Sequence, residues 1–461
     1  MLLKNLEIKG VEVHGRGVAR HNGKVVFVDD ALPGEVVDAR IYRKKKHYGF
    51  ARPEAWLLTS PKRQKPFCTH FGVCGGCVWQ HVAYDSQLEF KKQLVIDAFQ
   101  HIGKLTLPSV PPVLACSRTT HYRNKLEFTF SDKGWLTEEE LRLGIPFSSA
   151  LGFHKAGHFD KVIDIRQCYL QKEPSNAIRL ALRNFALQQH MPFFNIRKQE
   201  GFLRNLIIRT SATDELMVIV SFFRNDRPAI EKVMDFLGNT FPQITSLYYT
   251  VNTKANDDLS DCELVLYHGN PYICEKLGQL TFHIGPKSFF QVNVEQALKL
   301  FEHALRFAGL TGRELVYDLY SGIGAISLFV APYCNRVIGI EQLPEAVGEA
   351  RHNAAVNAIS NCAFYAADVA GLLSAEFVQT HGHPDVLFID PPRAGLHPRI
   401  IKTLRELQVE KLVYVSCNPA TQARDVAALS DLYAITDIQP VDMFPQTSHI
   451  ENVVSLKHIH K

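Results

Sequence analysis

Leu315-Val316-Tyr317-Asp318-Leu319-Tyr320-Ser321-Gly322-Ile323-Gly324 passes from an apolar run of strand length through a carboxylate into two glycines at the mouth of a helical pattern. A short apolar run bounded by turn residues reads as a buried strand, and the glycines let backbone approach a ligand at a helix N-terminus. The pattern repeats outward from there. A helix is expected at 295–308, then strands at 315–319, 336–340, 363–366, 386–389 and 412–415, each separated from the next by helix-length segments. That spacing predicts an α/β domain, a parallel sheet covered by helices on both faces. The third glycine of a dinucleotide fingerprint would fall at Ser327, so that fingerprint is incomplete and weak.

Carboxylates follow the strands in series: Glu341, Asp368 and Asp390. In open parallel sheets ligands gather outside the carboxyl ends of strands, where Glu341 is placed to hold ribose hydroxyls. Acidic groups at successive strand ends form the pattern of S-adenosylmethionine (SAM) methyltransferases. Asp390-Pro391-Pro392 is similar to the motif that holds an exocyclic amine in amino-group methyltransferases, but Arg393 stands where those enzymes have an aromatic residue. Cys417, in Ser416-Cys417-Asn418-Pro419, sits at the end of the next strand and points to carbon instead. Uracil C5 is a poor nucleophile until a thiolate adds at C6, and a base must then remove the C5 proton. Glu451, in His449-Ile450-Glu451, is the candidate base.

The rest of the chain differs in character. Residues 1–66 hold 14 Lys and Arg against 7 Asp and Glu, whereas residues 291–461 hold 13 against 18. A basic module joined to an acidic one suits a polyanionic substrate, gripped by one part and processed by the other. Short alternating strands are expected at 6–13, 24–28 and 35–41, with turns at Gly15, Gly17, Asn22-Gly23 and Pro33-Gly34. They predict a small oligonucleotide-binding or SH3-like barrel. A central region has a helix at 86–99, strands at 125–130, 203–210, 216–222 and 280–284, and a polar insertion at 132–145. Near its start stand Cys68, Cys74 and Cys77, with glycines at 75 and 76. Three thiols at this spacing read as a metal signature, and zinc and an iron–sulfur cluster both accept thiolates. No apolar run of about 18 residues is present, and the N-terminus lacks the apolar core of a signal peptide, so a cytoplasmic protein is expected.

Taken together these motifs resemble the RNA uracil-5-methyltransferase family, and within it the branch acting on 23S ribosomal RNA that carries an N-terminal TRAM domain. The resemblance rests on the barrel-like start, the three cysteines, Tyr122-Arg123-Asn124-Lys125, Phe289-Phe290-Gln291-Val292-Asn293, the Asp318–Gly322 loop, Asp390-Pro391-Pro392-Arg393, Ser416–Pro419 and His449–Glu451. It implies a TRAM barrel at 1–60, a central α+β iron–sulfur domain at 61–285 and a Rossmann-like SAM methyltransferase domain at 286–461. It also implies that Cys168 completes a [4Fe–4S] cluster with Cys68, Cys74 and Cys77. SAM contacts are implied for Gln291, Tyr320, Glu341, Asp368 and Asp390, with Cys417 as nucleophile and Glu451 as proton acceptor. The implied partner is RNA, 23S ribosomal ahead of transfer RNA, with neither a membrane nor an obligate protein partner. Two positions depart from the pattern. Ser321 stands where many members have cysteine, and Ala325 stands where this branch has an asparagine touching the cofactor, so no contact is carried onto Ala325.

Overall fold

A computed structural model describes residues 1–459. The chain divides into two compact units, one formed by Met1–Phe67, Val78–Ser117 and the chain from Glu295 onward, the other by Cys68–Cys77 and Arg118–Val294.

In the first unit the expected parallel strands form where the spacing puts them: Leu315–Leu319, Arg336–Glu341, Cys362–Ala366, Val386–Ile389 and Lys411–Ser416. Every residue of Val386–Ile389 is buried, which is why this strand reads as an unbroken apolar run rather than an alternation. Two further strands, Tyr433–Val441 and Glu451–His458, close one edge antiparallel. Across the sheet the order is 362–366, 336–341, 315–319, 386–389, 411–416, 451–458, 433–441. The order reverses at Leu315–Leu319, so a crevice opens outside its carboxyl end and that of Val386–Ile389. Leu319, Ile340, Ile389, Leu412 and Tyr414 share one core with Ile400 and Leu404 of the helix Pro398–Leu407 and Ala423 and Val426 of the helix Pro419–Ala427.

The basic N-terminus folds as a six-stranded sheet around a small core that includes Leu3, Leu6, Ile8, Val26, Val28, Val37 and Ala51. The single strand expected at 6–13 is in fact broken into Leu2–Glu7 and Gly10–Val11. Asn22 and Gly23 both adopt positive φ, 49° and 75°, the two-residue turn whose twist matches a tight hairpin. Strand Tyr48–Leu58, absent from the sequence reading, pairs parallel with Lys24–Val28 and antiparallel with Val36–Lys44. Trp79 is wholly buried against this barrel, its indole N–H donating to the Gly15 carbonyl at 3.1 Å. Gly15 has φ +86°, and a side chain there would meet the indole at 2.9 Å. Truncating Trp79 to alanine should cost about 3–5 kcal/mol.

The second unit is α+β. A seven-stranded, mainly antiparallel sheet carries the helices Ser175–Gln188 and Arg227–Thr240, whose Ile178, Leu182, Ile230, Val233 and Leu237 fill its core. The strands expected at 203–210, 216–222 and 280–284 match Leu203–Thr210, Leu216–Phe222 and Leu280–Ile284, and the polar insertion carries a short helix, Glu138–Arg142. No helix among the described residues is long and apolar enough to cross a membrane.

Candidate active site

Strand Leu315–Leu319 ends in a sharply turned loop: φ is +66° at Tyr320, +54° at Gly322 and +85° at Gly324. The Tyr320 and Ser321 N–H groups both donate to the Ile340 carbonyl, at 2.9 and 3.1 Å, which fastens the loop to the neighbouring strand. A side chain at Gly322 would meet only open space, so the positive φ rather than crowding calls for glycine there. Glu341 holds the turn from the other side. Its carboxylate accepts from Gly322 N–H and Leu343 N–H, each at 3.0 Å.

Beneath this loop lies Asp318, fully buried. One of its oxygens accepts from the Ser327 hydroxyl at 2.5 Å, while Oδ1 has no partner among the described residues, and neither has the buried Ser321 Oγ. Burial, with Asp390 and Glu341 nearby, pushes the Asp318 carboxyl up to about 7. Tyr320 is pushed to about 12 by burial and by the Asp368 and Asp425 carboxylates, which places Asp368 within electrostatic reach of the loop. An unpartnered buried acceptor beneath a ring of carboxylates suits a ligand rich in donors, with hydroxyls and an ammonium group.

The thiol side is built across one antiparallel ladder. Ser416 pairs with Asn452, so Cys417 and Glu451 are the next residues outward on adjoining strands. The sequence reading places Glu451 after a strand; it instead opens one that runs backward, and this brings it to the carboxyl edge beside Cys417. Burial pushes the Cys417 thiol up to about 11, and the Glu451 and Asp390 carboxylates add to that, whereas Arg393 opposes it by charge and by a hydrogen bond to the sulfur. Glu451 is 5% exposed, and burial followed by the charge of Asp390 lifts its carboxyl well above the usual range, with Arg393 again opposing. Burial likewise raises Asp390 to about 7.

Two polar networks hold these groups. The loop carrying Arg393 is tied to the helix Pro419–Ala427: the Arg393 carbonyl accepts from Asn418 Nδ2 at 3.0 Å, and the Ala394 carbonyl from Arg424 at 2.9 Å. Buried Asp425 accepts from Leu396 N–H at 2.7 Å and from the Tyr414 hydroxyl at 2.8 Å. A side chain at Gly395 would fall 2.5 Å from Asp425, so this turn admits no other residue without moving. Before Glu451 the chain is anchored by a buried ion pair, Lys91 Nζ to Asp442 Oδ1 at 2.5 Å, with the Tyr84 hydroxyl donating to the other oxygen at 2.8 Å. Lys91 also donates to the Phe444 carbonyl at 3.0 Å. Removing one partner of such a pair strands a buried charge, at a cost of about 3–5 kcal/mol.

The structure therefore brings Tyr320, Glu341, Asp368, Asp390, Cys417 and Glu451 to one edge of one sheet. Gln291 belongs to the second unit, on a segment pinned by Asn124 Nδ2 to the Gln291 carbonyl at 3.0 Å and by Asn124 N–H to the Val292 carbonyl at 2.8 Å. Cys68, Cys74, Cys77 and Cys168 also lie in that unit. Burial, then the charges of Cys168 and Cys68, push Cys74 to about 11, so these three thiols are electrostatic neighbours. Cys77 packs against the core that contains Cys168. Gly76 N–H donates to the Cys74 sulfur at 3.4 Å, and Leu170 N–H to that of Cys168. Among the described residues no three His, Cys, Asp or Glu side chains converge closely enough to hold a metal ion.

Sequence reasoning passed over Asp318 and Arg393 as functional groups. Asp318 carried a signal, a carboxylate inside an apolar strand. Arg393 was read only as a departure from the amine-binding motif, and no spacing rule connects it to Cys417, 24 residues on. Lys91 and Asp442 are 351 residues apart and carried no signal.

Comparison with known proteins follows the same division. Residues 272–459 match the family model for tRNA (Uracil-5-)-methyltransferase, and residues 4–53 match the TRAM domain. Proteins named as uncharacterized RNA methyltransferases from Bacteroides thetaiotaomicron and Porphyromonas gingivalis are each 48% identical, the first over 96% of this chain and 99% of its own length, the second over 98% and 99%. The crystal structure of Pyrococcus abyssi tRNA (uracil-54, C5)-methyltransferase in complex with S-adenosyl-L-homocysteine superposes with a TM-score of 0.76 at 30% identity, covering 98% of this chain and 99% of that one.

Proposed function

Since the chain belongs to the RNA (uracil-5-)-methyltransferase family, we propose that it transfers a methyl group from SAM to C5 of a uracil in folded RNA, with Cys417 as nucleophile and Glu451 as base. The observation that carries this reading is the ladder that sets Cys417 and Glu451 side by side with Arg393 acting on both.

SAM, when bound, supplies an electrophilic methyl group. Its donors suit the unpartnered Asp318 oxygen and the carboxylates of Glu341 and Asp368, with Tyr320, Asp390 and Gln291 as further contacts. The chain's own residues do the rest. The Arg393 guanidinium favours the thiolate of Cys417, which adds to C6 and pushes electrons to C5, so that C5 can take a methyl group. Glu451 then accepts the C5 proton, the C5–C6 double bond re-forms and the sulfur leaves. A carboxylate whose proton affinity is raised by burial is a stronger base for that step than one in water.

RNA carrying 5-fluorouracil tests the covalent step, because fluorine at C5 leaves no proton to remove. The adduct should accumulate with the native protein and be absent with Cys417→Ser; an undiminished yield in that variant would remove Cys417 from this role. The substrate is read as 23S ribosomal RNA, with transfer RNA as the competing assignment, favoured by the name of the Pyrococcus protein. Mapping 5-methyluridine in both RNAs from cells lacking the gene decides between them.

The cysteines of the second unit are read as ligands of a [4Fe–4S] cluster. A single zinc ion would need its thiolates within one coordination sphere, with Zn–S distances of about 2.3 Å. Thiols that feel one another's charge without converging on a point suit a cluster, whose ligands bind separate iron atoms. The N–H groups aimed at Cys74 and Cys168 suit sulfur that bears charge. Its cations would relieve the mutual repulsion that now keeps these thiols protonated. Anaerobically purified protein should be brown and contain iron and sulfide, and Cys168→Ala should lose colour. Colourless native protein with stoichiometric zinc would refute the cluster, and full colour in Cys168→Ala would refute that ligand.

A further inference from the structure

The barrel carries a feature that its charge alone does not require. Four aromatic rings gather on one face: Phe50 lies 5.5 Å from Phe27, 5.5 Å from Tyr48 and 6.3 Å from Tyr42, the last pair stacked. Tyr42 is 54% exposed and Tyr48 38%, so these rings are not filling the core beneath them. Three cations lie over the same rings. The guanidinium carbons of Arg16 and Arg43 stand 5.3 and 5.8 Å from the centre of Phe50, and that of Arg52 stands 5.8 Å from the centre of Tyr42. Arg16, Phe27, Tyr42, Arg43, Tyr48 and Phe50 line one groove of about 420 Å³, together with Glu12 and His14.

Two carboxylates fix the arrangement. Asp29 accepts from Arg16 Nε at 3.0 Å and from the Tyr42 hydroxyl at 3.2 Å, and Glu12 pairs with Arg16 Nη1 at 3.3 Å. Arg16 is thereby held as a flat lid on Phe50 with much of its charge already answered. Arg43 forms no ion pair among the described residues. A groove built only to collect phosphates would not place Asp29 and Glu12 beside its cations. One that offers aromatic faces, a neutralised guanidinium and a single spare cation fits a flat heterocycle with one phosphate attached.

We infer that this groove stacks an unpaired nucleobase of the RNA substrate, separate from the uracil that is methylated, with Arg43 taking the adjoining phosphate. This rests on the RNA reading above and adds a second point of recognition, one that selects unstacked strand over duplex because a duplex hides its base faces.

The test uses the full-length protein and two probes, a short single-stranded RNA and the same strand annealed to its complement, with anisotropy measured across a salt series. Tyr42→Ala and Tyr48→Ala should each weaken single-strand binding by about tenfold, one base stack, without changing the slope of log affinity against log salt. Duplex binding should be unaltered, and Tyr48→Trp should retain single-strand affinity. Both tyrosines are surface residues, and unchanged unfolding temperatures would show that the variants are folded. Native affinity in both alanine variants, or an equal loss for duplex, overturns the stacking site while leaving the RNA reading standing. Failure of the native protein to bind either probe overturns both.

Discussion

The carboxyl edge of the α/β sheet and the outer face of the barrel belong to one compact unit yet are built on opposite principles. At the sheet edge the charges are negative and withdrawn from water: Asp318, Asp390 and Glu451 all hold their protons more tightly than free carboxylates do, and Cys417 holds its thiol proton to about 11. On the barrel the charges are positive and exposed, from Arg43 through Lys46. Withdrawn charge is costly and specific, and it is worth its cost only where a proton or an electron pair must move. Exposed charge is cheap and tolerant, which suits grip on a phosphate backbone whose sequence varies. Chemistry and grip should therefore be separable by mutation.

The largest separation is expected at Cys417. Cys417→Ser should lower turnover by more than about 10⁴-fold while leaving RNA affinity within about twofold, because the serine hydroxyl is a far weaker nucleophile and the change removes little contact surface. Rapid-quench assays beside equilibrium binding check this, and a parallel fall in affinity would break the division. Glu451→Gln should cost about 10²- to 10⁴-fold in turnover. An amide cannot accept the C5 proton, so this variant should form the covalent adduct on normal uracil RNA and stall there, visible as a slow band on denaturing gels. Absence of that band with normal binding would move the base elsewhere.

Arg393 sharpens the electrostatic half of the comparison. With the thiol raised to about 11, the thiolate fraction and hence the rate of adduct formation should climb with pH through the neutral range. Arg393→Ala removes the cation and the hydrogen bond that pull the thiol down, so its pKa should rise further. The single-turnover rate near pH 7.5 should then fall by about tenfold per unit of that rise, and the profile should move to higher pH. A profile that does not move would mean that Arg393 serves only to hold its loop.

Much of the sheet edge was legible in the sequence because strand ends are marked twice, by the close of an apolar run and by the carboxylate or thiol that follows it. Val386–Ile389 and Leu315–Leu319 fall on the expected residues for that reason. Glu451 was found as a residue but misplaced in topology, since nothing local distinguishes a strand that inserts antiparallel from one that extends a parallel sheet. Arg393 and the Lys91–Asp442 pair were illegible because their roles depend on contacts between segments distant in sequence. The barrel was less legible: Tyr48–Leu58 interrupts its alternation with Pro53 and Glu54, and the rings of Phe27, Tyr42, Tyr48 and Phe50 meet only once three strands are paired.

The smallest expected effect tests the barrel's side of the division. Lys44, Lys45 and Lys46 lie at the end of Val36–Lys44 and in the turn after it, all exposed. A charge in that setting contributes mainly by releasing counterions from the RNA, and removing one lysine–phosphate interaction should lower the slope of log affinity against log salt by slightly less than about one unit. Changing all three to alanine should weaken RNA binding by roughly tenfold at about 0.1 M salt, and the deficit should shrink as salt rises, because screening removes from the native protein what mutation removes from the variant. The single-turnover rate at saturating RNA should stay near native, since no lysine of this run approaches the thiol in sequence or shares its sheet. This signature is distinct from that of the tyrosines, where affinity falls and the slope does not. If the lysine variant binds as the native protein does at every salt concentration, the exposed charge is a solubility device and grip must be sought on the aromatic groove alone.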